Sequence, residues 1–476
     1  MGKFTRFDVF VTVFVILAIA NLLVANDYTF VWSGAEAYTL FHSLKGEWIG
    51  YWPTAMYQAL SQKMDAFAFR FPSVWLLAMT AYGLFFFTKK MLGKPTALLA
   101  LLILGGSILV PNWSKLASGD VWAFGSQSLV LMSMLLALKQ AKFNWQILHY
   151  LLVILAVSIQ PISAVVLVLS CWGTLYFLHP QGKSLIRLPS PILAILLGFL
   201  FYQIGFVQIG QEVFALDYFN APFGKFLAYS LIGMLPFIGF ILAGLRELFT
   251  KVRKKEELAI IHLAFLLGGL LAQSMAFQWA LVLLVAKHMQ AYFVKNYPYQ
   301  SFVKTGAVLH LVGFFVLATV AMMSGFQIFR GIGFRAALSV SIIYWIWSFV
   351  SVIGLYGQRK DWVWGGVLSS GLLASLIFWL QLNPVLNNER KIYSEAVQKA
   401  RVMKTSDQEV LYLNGVVPFP ATAVYGIEAF PNTQIVENEV GKGIYINKNK
   451  PEGIPVDSIV GRDELLNELT YWIYKK

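Results

Sequence analysis

The 476-residue chain is 58% hydrophobic and only 13% charged, with a mean hydropathy of +0.64. Soluble domains carry about 25% charged residues, which excludes a soluble globular protein and indicates a polytopic membrane protein. The formal net charge of +13 reads as the Lys and Arg excess that orients membrane loops rather than as a nucleic-acid footprint, and the one cysteine, Cys171, lies in an apolar run with no internal disulfide partner.

Apolar runs long enough to span a bilayer, alone or shielded by protein, occur at 7–25, 72–88, 95–111, 123–138, 145–159, 161–178, 189–209, 226–245, 258–272, 274–293, 304–324, 332–355 and 362–382. This predicts thirteen transmembrane helices. With Lys3 and Arg6 placed inside, the basic clusters Lys89/Lys90/Lys94, Lys139/Lys142, Lys183/Arg187, Arg246 to Lys255, Lys295/Lys304 and Arg359/Lys360 all fall on the cytoplasmic side. The expected localisation is therefore the plasma membrane, with the N-terminus cytoplasmic and the C-terminus extracytoplasmic.

Two outer segments stand out. The first loop, 26–71, has helical apolar spacing at Met56, Ala59, Leu60, Met64 and Phe67, with Trp48, Tyr51, Trp52 and Tyr57 suited to the headgroup level. It reads as one or two interfacial helices. The chain then divides into a membrane domain, 1–383, and a polar segment, 384–476, expected to form a small extracytoplasmic α/β domain. There "EVLYLNGV", "TQIVENEV" and "GIYINKN" read as strands, and "RKIYSEAVQKARVM" and "GRDELLNELTYWIYKK" as helices.

No P-loop, HExxH, CxxC or GxSxG with its partners is present, and the six histidines are scattered over both sides. Few acids fall within the spans, unlike an ion pathway, and no internal repeat suggests a transporter. The outer acids are few: Asp27, Glu36, Glu47 and Asp65 in the first loop, Asp120 before the fourth span, and Glu212 and Asp217 later. Asp27 and Asp120 stand at helix ends near the membrane surface. A carboxylate there loses hydration, which raises its pKa and suits it to act as a base; the plainer reading of Asp120 is an N-cap of the fourth span.

Three stretches resemble one family. "FAFRFPSVWLLAMTAYGLFFFTKKMLGKPTALLALLIL" is similar to its Arg-x-Pro-Ser stretch with the second span, basic turn and third span. "ASGDVWAFGSQSL" resembles its small-x-x-Asp segment, and "LIGMLPFIGFILAGLREL" its Leu-Pro span. The family is that of the polyprenyl-phosphate-sugar-dependent glycosyltransferases of the GT-C fold, nearest to the aminoarabinose lipid A transferase and the protein O-mannosyltransferases. The resemblance covers nearly the whole layout and implies inverting transfer of a sugar from a polyprenyl-phosphate donor to an envelope lipid, glycan or protein. It places the catalytic base on Asp27, in "NDY", where Tyr28 replaces the second acid of the family's pair. The family's outer-loop aspartate falls on Asp120, and a family arginine on Arg70. Inversion needs one base and no covalent intermediate.

The chain departs from the family at its phosphate-binding lysines. "GYWPTAMY" stands in place of a Lys-Pro-Pro segment, and "SIQPISA" has Ile159 and Gln160 where a second lysine is expected. The leaving phosphate still calls for a cation. Lys45, Lys63, Arg70, Lys115, Lys225, Arg330 and Arg335 are the outer-side candidates, with Lys115 foremost because it lies five residues before Asp120. A divalent metal is compatible with the resemblance, but the sequence offers no ligand set for one. The lost lysines and the lost acid motivate a second reading, a non-catalytic protein that binds a lipid-linked glycan or scaffolds an envelope complex.

Overall fold

The computed structural model describes residues 6–24, 36, 39, 66–140, 142–185, 190–205, 221–329, 332–385, 392–406, 409–415, 434–462 and 468–476. Most of the expected interfacial segment in the first loop, with Asp27 and Tyr28, lies outside the described residues.

Helices follow the apolar stretches in chain order: α1 Arg6–Leu23, α2 Ala66–Leu92, α3 Lys94–Gly106, the short α4 Leu109–Trp113, α5 Asp120–Gln140, α6 Phe143–Ile159, α7 Pro161–Leu178, α8 Ser190–Gln203, α9 Ala221–Gly233, α10 Ile238–Arg253, α11 Glu257–Leu271, α12 Ala276–Ala291, α13 Gln300–Phe329 and α14 Ile332–Tyr356. The helix α15, Lys360–Val385, closes the series. Among the described residues, five helices are long and apolar enough to cross a membrane, or six if the bent pair α9–α10 is one crossing. Several others, such as α3, α6 and α11, are shorter apolar helices. The chain is thus a multi-pass helical membrane protein. Its outer surface carries large apolar side chains, with Tyr82 70%, Phe143 73% and Phe177 82% exposed, as expected of groups facing lipid instead of water.

Three local irregularities shape the bundle. The expected span 226–245 is a helix pair bent by 67° around Leu235–Phe237, because Pro236 removes a backbone donor and clashes with the preceding turn. The last helix carries two π-turns, Trp364–Leu368 and Phe378–Leu382. Close approach of α3 to α15 depends on glycine: a Cβ on Gly106 would stand 2.2 Å from the Leu368 carbonyl oxygen, and one on Gly371 would stand 2.1 Å from that of Gly106.

The central element is α5, 89% buried over its apolar window. It packs on α2, α6 and α12. Because it runs through the core, whatever stands at its first residue is held inside protein.

After the membrane helices, α16 (Ile392–Val402) precedes, among the described residues, five strands, β1 Val410–Asn414, β2 Ile435–Glu437, β3 Gly443–Asn447, β4 Asp457–Arg462 and β5 Glu468–Lys475. The sheet order is β2-β1-β3-β5-β4, with β1 parallel to β2 and β3 and β5 antiparallel to β3 and β4. One face packs Leu411, Leu413, Ile444, Ile446 and Ile473 on the apolar stripe of α16. The other stacks Tyr412 on Tyr445 (4.7 Å) and Tyr445 on Tyr474 (5.0 Å). The helix expected over 461–476 is corrected: Arg462 ends β4 and 468–475 is β5. Tyr471 and Ile473 bury one face while Trp472 and Tyr474 lie on the other, a period of two that β-branched and aromatic residues favour.

Candidate functional site

The site is built where α1, α2, the 114–119 turn and α15 meet. Glu36 and Arg70, 34 residues apart, form a bidentate ion pair: Nε donates to Oε1 at 2.7 Å and Nη2 to Oε2 at 3.1 Å. Glu36 is 0% and Arg70 3% exposed. The backbone N–H of Ala117 also donates to Glu36 Oε1 at 3.0 Å. A planar guanidinium matches a carboxylate fork, so the first loop, the start of α2 and the turn before α5 are tied at one point.

Lys115 stands in the same turn, 1% exposed. Its Nζ donates to the carbonyls of Asn21 (2.8 Å) and Val24 (2.5 Å), and lies 4.0 Å from the Trp379 ring centroid. Asn21 is in the last turn of α1 and Val24 directly follows the helix, where carbonyls lack intrahelical donors; a lysine there satisfies them and meets the negative end of the helix dipole. Burial, with the Arg70 guanidinium adding to it, lowers the Lys115 pKa to about 6.

A second layer backs the lysine. Trp379 Nε1 donates to Asn112 Oδ1 at 2.5 Å. Ser375 Oγ lies 2.6 Å from Asn112 Oδ1 and 3.0 Å from Asn21 Oδ1. Trp379 belongs to the π-turn 378–382 of α15; such turns are frequent at functional sites.

Asp120 is the first residue of α5 and 4% exposed, three residues after Ala117. The N-cap expectation is corrected by one position: the Gly119 carbonyl accepts from Ala123 N–H, which makes Gly119 the capping residue and puts the Asp120 carboxylate in the first turn, at the positive end of the dipole.

Of the residues singled out in the sequence, Glu36, Arg70 and Lys115 are brought together, with Asp120 in the turn's continuation. Asp27 and Tyr28 lie outside the described residues, as do Lys45, Lys63 and Arg330. Lys225 and Arg335 are exposed. Asn21, Asn112, Ser375 and Trp379 were not singled out; a signal existed for Asn21, an amide inside an apolar span. No group of three or more His, Cys, Asp or Glu side chains that could hold a metal occurs among the described residues.

No protein family and no curated protein matches the chain by sequence. Solved structures do match. The chain is similar to ArnT from Cupriavidus metallidurans bound to undecaprenyl phosphate, with a TM-score of 0.67, 12% identity and 98% of each chain covered. It is similar to the apo state of that protein at a TM-score of 0.62 and 13% identity, again over 98% of each chain. An oligosaccharyltransferase from Archaeoglobus fulgidus matches at a TM-score of 0.49 and 10% identity, over 90% of this chain and 64% of that one.

Proposed function

We propose, from the GT-C fold that the chain shares from end to end with the aminoarabinose transferase, that this protein is an inverting glycosyltransferase. It takes a sugar from a polyprenyl-phosphate donor and passes it to an envelope lipid, glycan or protein. The observation that carries the reading is the buried polar cluster of Glu36, Arg70 and Lys115 at one membrane face of a chain whose structural match was solved with undecaprenyl phosphate bound.

The face is argued from the helices. The site end of α2 carries Arg70 and the far end Lys89 and Lys90; α5 begins at Asp120 and has Lys139 in its last turn. Basic residues gather at the far end, which by the positive-inside rule is cytoplasmic. We therefore place the cluster at the extracytoplasmic face of the plasma membrane, with thirteen crossings, a cytoplasmic N-terminus, a membrane domain over 1–383 and an extracytoplasmic domain over 384–476.

Asp27 is the base in this reading. Covalent reach keeps it within about 11 Å of Val24, whose carbonyl Lys115 holds. Asp27 takes the proton of the acceptor hydroxyl or amine as that atom attacks the anomeric carbon. The bond from the anomeric carbon to the phosphate oxygen breaks, and polyprenyl phosphate leaves. Lys115 fixes the exit of α1. At its lowered pKa the Lys115 amine gives its two N–H groups to the carbonyls; the arriving donor phosphate favours the protonated form, whose third N–H meets the developing charge. Arg70 anchors Glu36 of the first loop, Asp120 borders the same end, and Tyr28 directly follows Asp27 in the chain.

A second reading, a non-catalytic lipid-glycan binder, is favoured by the engagement of Arg70 with Glu36 and by the residues that replace the family's lysines. Mass-spectrometric profiling of envelope glycolipids and glycoproteins separates the two. A deletion strain is compared with strains expressing wild type or Asp27→Asn at equal level. Loss of one sugar in the deletion, restored by wild type and not by Asp27→Asn, is the expected result. Full restoration by Asp27→Asn removes the catalytic assignment.

A further inference from the structure

A second site lies at the opposite membrane face. A cavity of about 330 Å³ opens among α2, α3, α5, α10, α11 and α12, lined by Leu92, Thr96, Leu135, Glu247, Lys251, His262 and Lys287 among others. From Arg70 to Leu92 along α2 is about 33 Å at 1.5 Å per residue, the thickness of a hydrocarbon core. The cavity and the candidate transferase site are therefore on opposite sides.

The polar groups of the cavity are already organised. Glu247 Oε1 meets Lys251 Nζ at 2.7 Å and Lys287 Nζ at 3.0 Å, and His288 Nε2 lies 2.8 Å from Glu247 Oε2. His288 Nδ1 is 2.5 Å from the Tyr297 hydroxyl, so the imidazole is clamped between acid and phenol. Lys251 also reaches Glu256 at 3.4 Å. Both ammonium groups are thus held at the mouth, 33% and 54% exposed, with N–H groups to spare. His262 Nε2 faces the Ala280 carbonyl at 2.8 Å. That nitrogen must carry the proton, which leaves Nδ1 as an acceptor. Beneath these groups the wall is apolar: Leu135, Phe265, Leu283 and Leu284, with Leu258 at the rim 44% exposed. The surrounding helix ends and turns add Lys89, Lys90, Lys94, Arg253, Lys254 and Lys255 against Glu256 and Glu257.

Cations at the mouth, hydrogen-bond acceptors behind them, apolar walls below and a position at headgroup depth together describe one ligand chemistry. We propose that this cavity holds the headgroup of an anionic, hydroxyl-bearing phospholipid of the leaflet opposite the transferase site. Its phosphate meets Lys251 and Lys287, a headgroup hydroxyl donates to His262 Nδ1 or to Glu247, and an acyl chain follows Leu258. This site is independent of the transferase reading.

The test is thermal unfolding of the purified full chain in detergent with phosphatidylglycerol, phosphatidylcholine or glycerol 1-phosphate added. At a hundredfold excess over Kd, phosphatidylglycerol should raise Tm by about 3 °C; phosphatidylcholine and glycerol 1-phosphate should not. Lys251→Gln with Lys287→Gln should abolish the rise, and Lys442→Gln, in the bend before β3 and outside the cavity lining, should keep it. Ala259→Phe fills the cavity while keeping every charge, should also abolish the rise, and decides the matter where the lysine pair impairs folding. An equal rise with phosphatidylcholine, or a rise that survives both the lysine pair and Ala259→Phe, overturns the proposal. A full rise with glycerol 1-phosphate alone also overturns it, since the ligand would then be a soluble phosphate ester.

Discussion

Replacing Arg70 by Met leaves the Glu36 carboxylate at 0% exposure without its guanidinium partner. Removing one member of a buried ion pair costs about 3–5 kcal/mol, because the remaining charge is neither hydrated nor neutralised. Unfolding entropy of about 2.1 cal/mol/K per residue comes to roughly 1 kcal/mol/K for 476 residues, so Arg70→Met should lower Tm by about 3–5 °C. Glu36→Gln strands the guanidinium instead and should cost a similar amount. The double variant Glu36→Gln with Arg70→Met removes both charges, yet the amide oxygen still accepts from Ala117 N–H. It should recover to within about 1–2 °C of wild type, a coupling that a cycle of the four proteins measures directly. The assay is thermal unfolding of purified protein in detergent, followed by the fluorescence of a thiol dye at buried Cys171. If Arg70→Met melts with wild type, or the double variant loses the sum of the singles, the pair does not hold this end of the bundle together.

Lys115→Met should release the last turn of α1 and abolish transfer in the glycan profile. Lys115→Arg, with a bulkier fork than two carbonyls and an indole face admit, should restore it only in part. The same residue gives a pH signature. Its pKa is about 6 in the folded chain against an ordinary 10.5, so the unfolded chain binds the extra proton between these values and stability rises with pH across that window. The slope is at most about 1.4 kcal/mol per pH unit, about 1 °C of Tm per unit from pH 6 to 9, and Lys115→Met should flatten it. Gly106→Val should separate α3 from α15 and lower expression and Tm, because its side chain would occupy the place of the Leu368 carbonyl; Gly173→Val, open to at least 4 Å, is the matched control and should be silent.

What the sequence discloses is local. Runs of apolar residues mark the helices, and Lys89, Lys90 and Lys139 mark one end of them. Strands β1 to β3 show in short β-branched and aromatic runs. The 461–476 segment misleads because "DELLNEL" is rich in helix formers, while the pairing of β5 with both β3 and β4 outweighs that propensity. The site itself is long-range. Glu36 could be singled out as an outer acid and Arg70 by resemblance, but nothing in either predicts their pairing. Ser375 meets Asn21 across 354 residues of chain, and Trp379 reaches Asn112 from a π-turn, a backbone irregularity that no residue pattern announces.

The turn 114–119 grips the chain twice, at Val24 through Lys115 and at Glu36 through Ala117. Val24 and Glu36, on either side of residues 25–35, are therefore both fastened to a single short turn. Closing a loop costs only about 0.6 kcal/mol more for each doubling of its length, so insertions or deletions between these two fastened points carry little thermodynamic cost. The fastening turn has no such latitude: one residue inserted between Lys115 and Ala117 would put the two grips out of step. Length variation between Val24 and Glu36 is thus tolerated, while the short turn that holds them must keep its length.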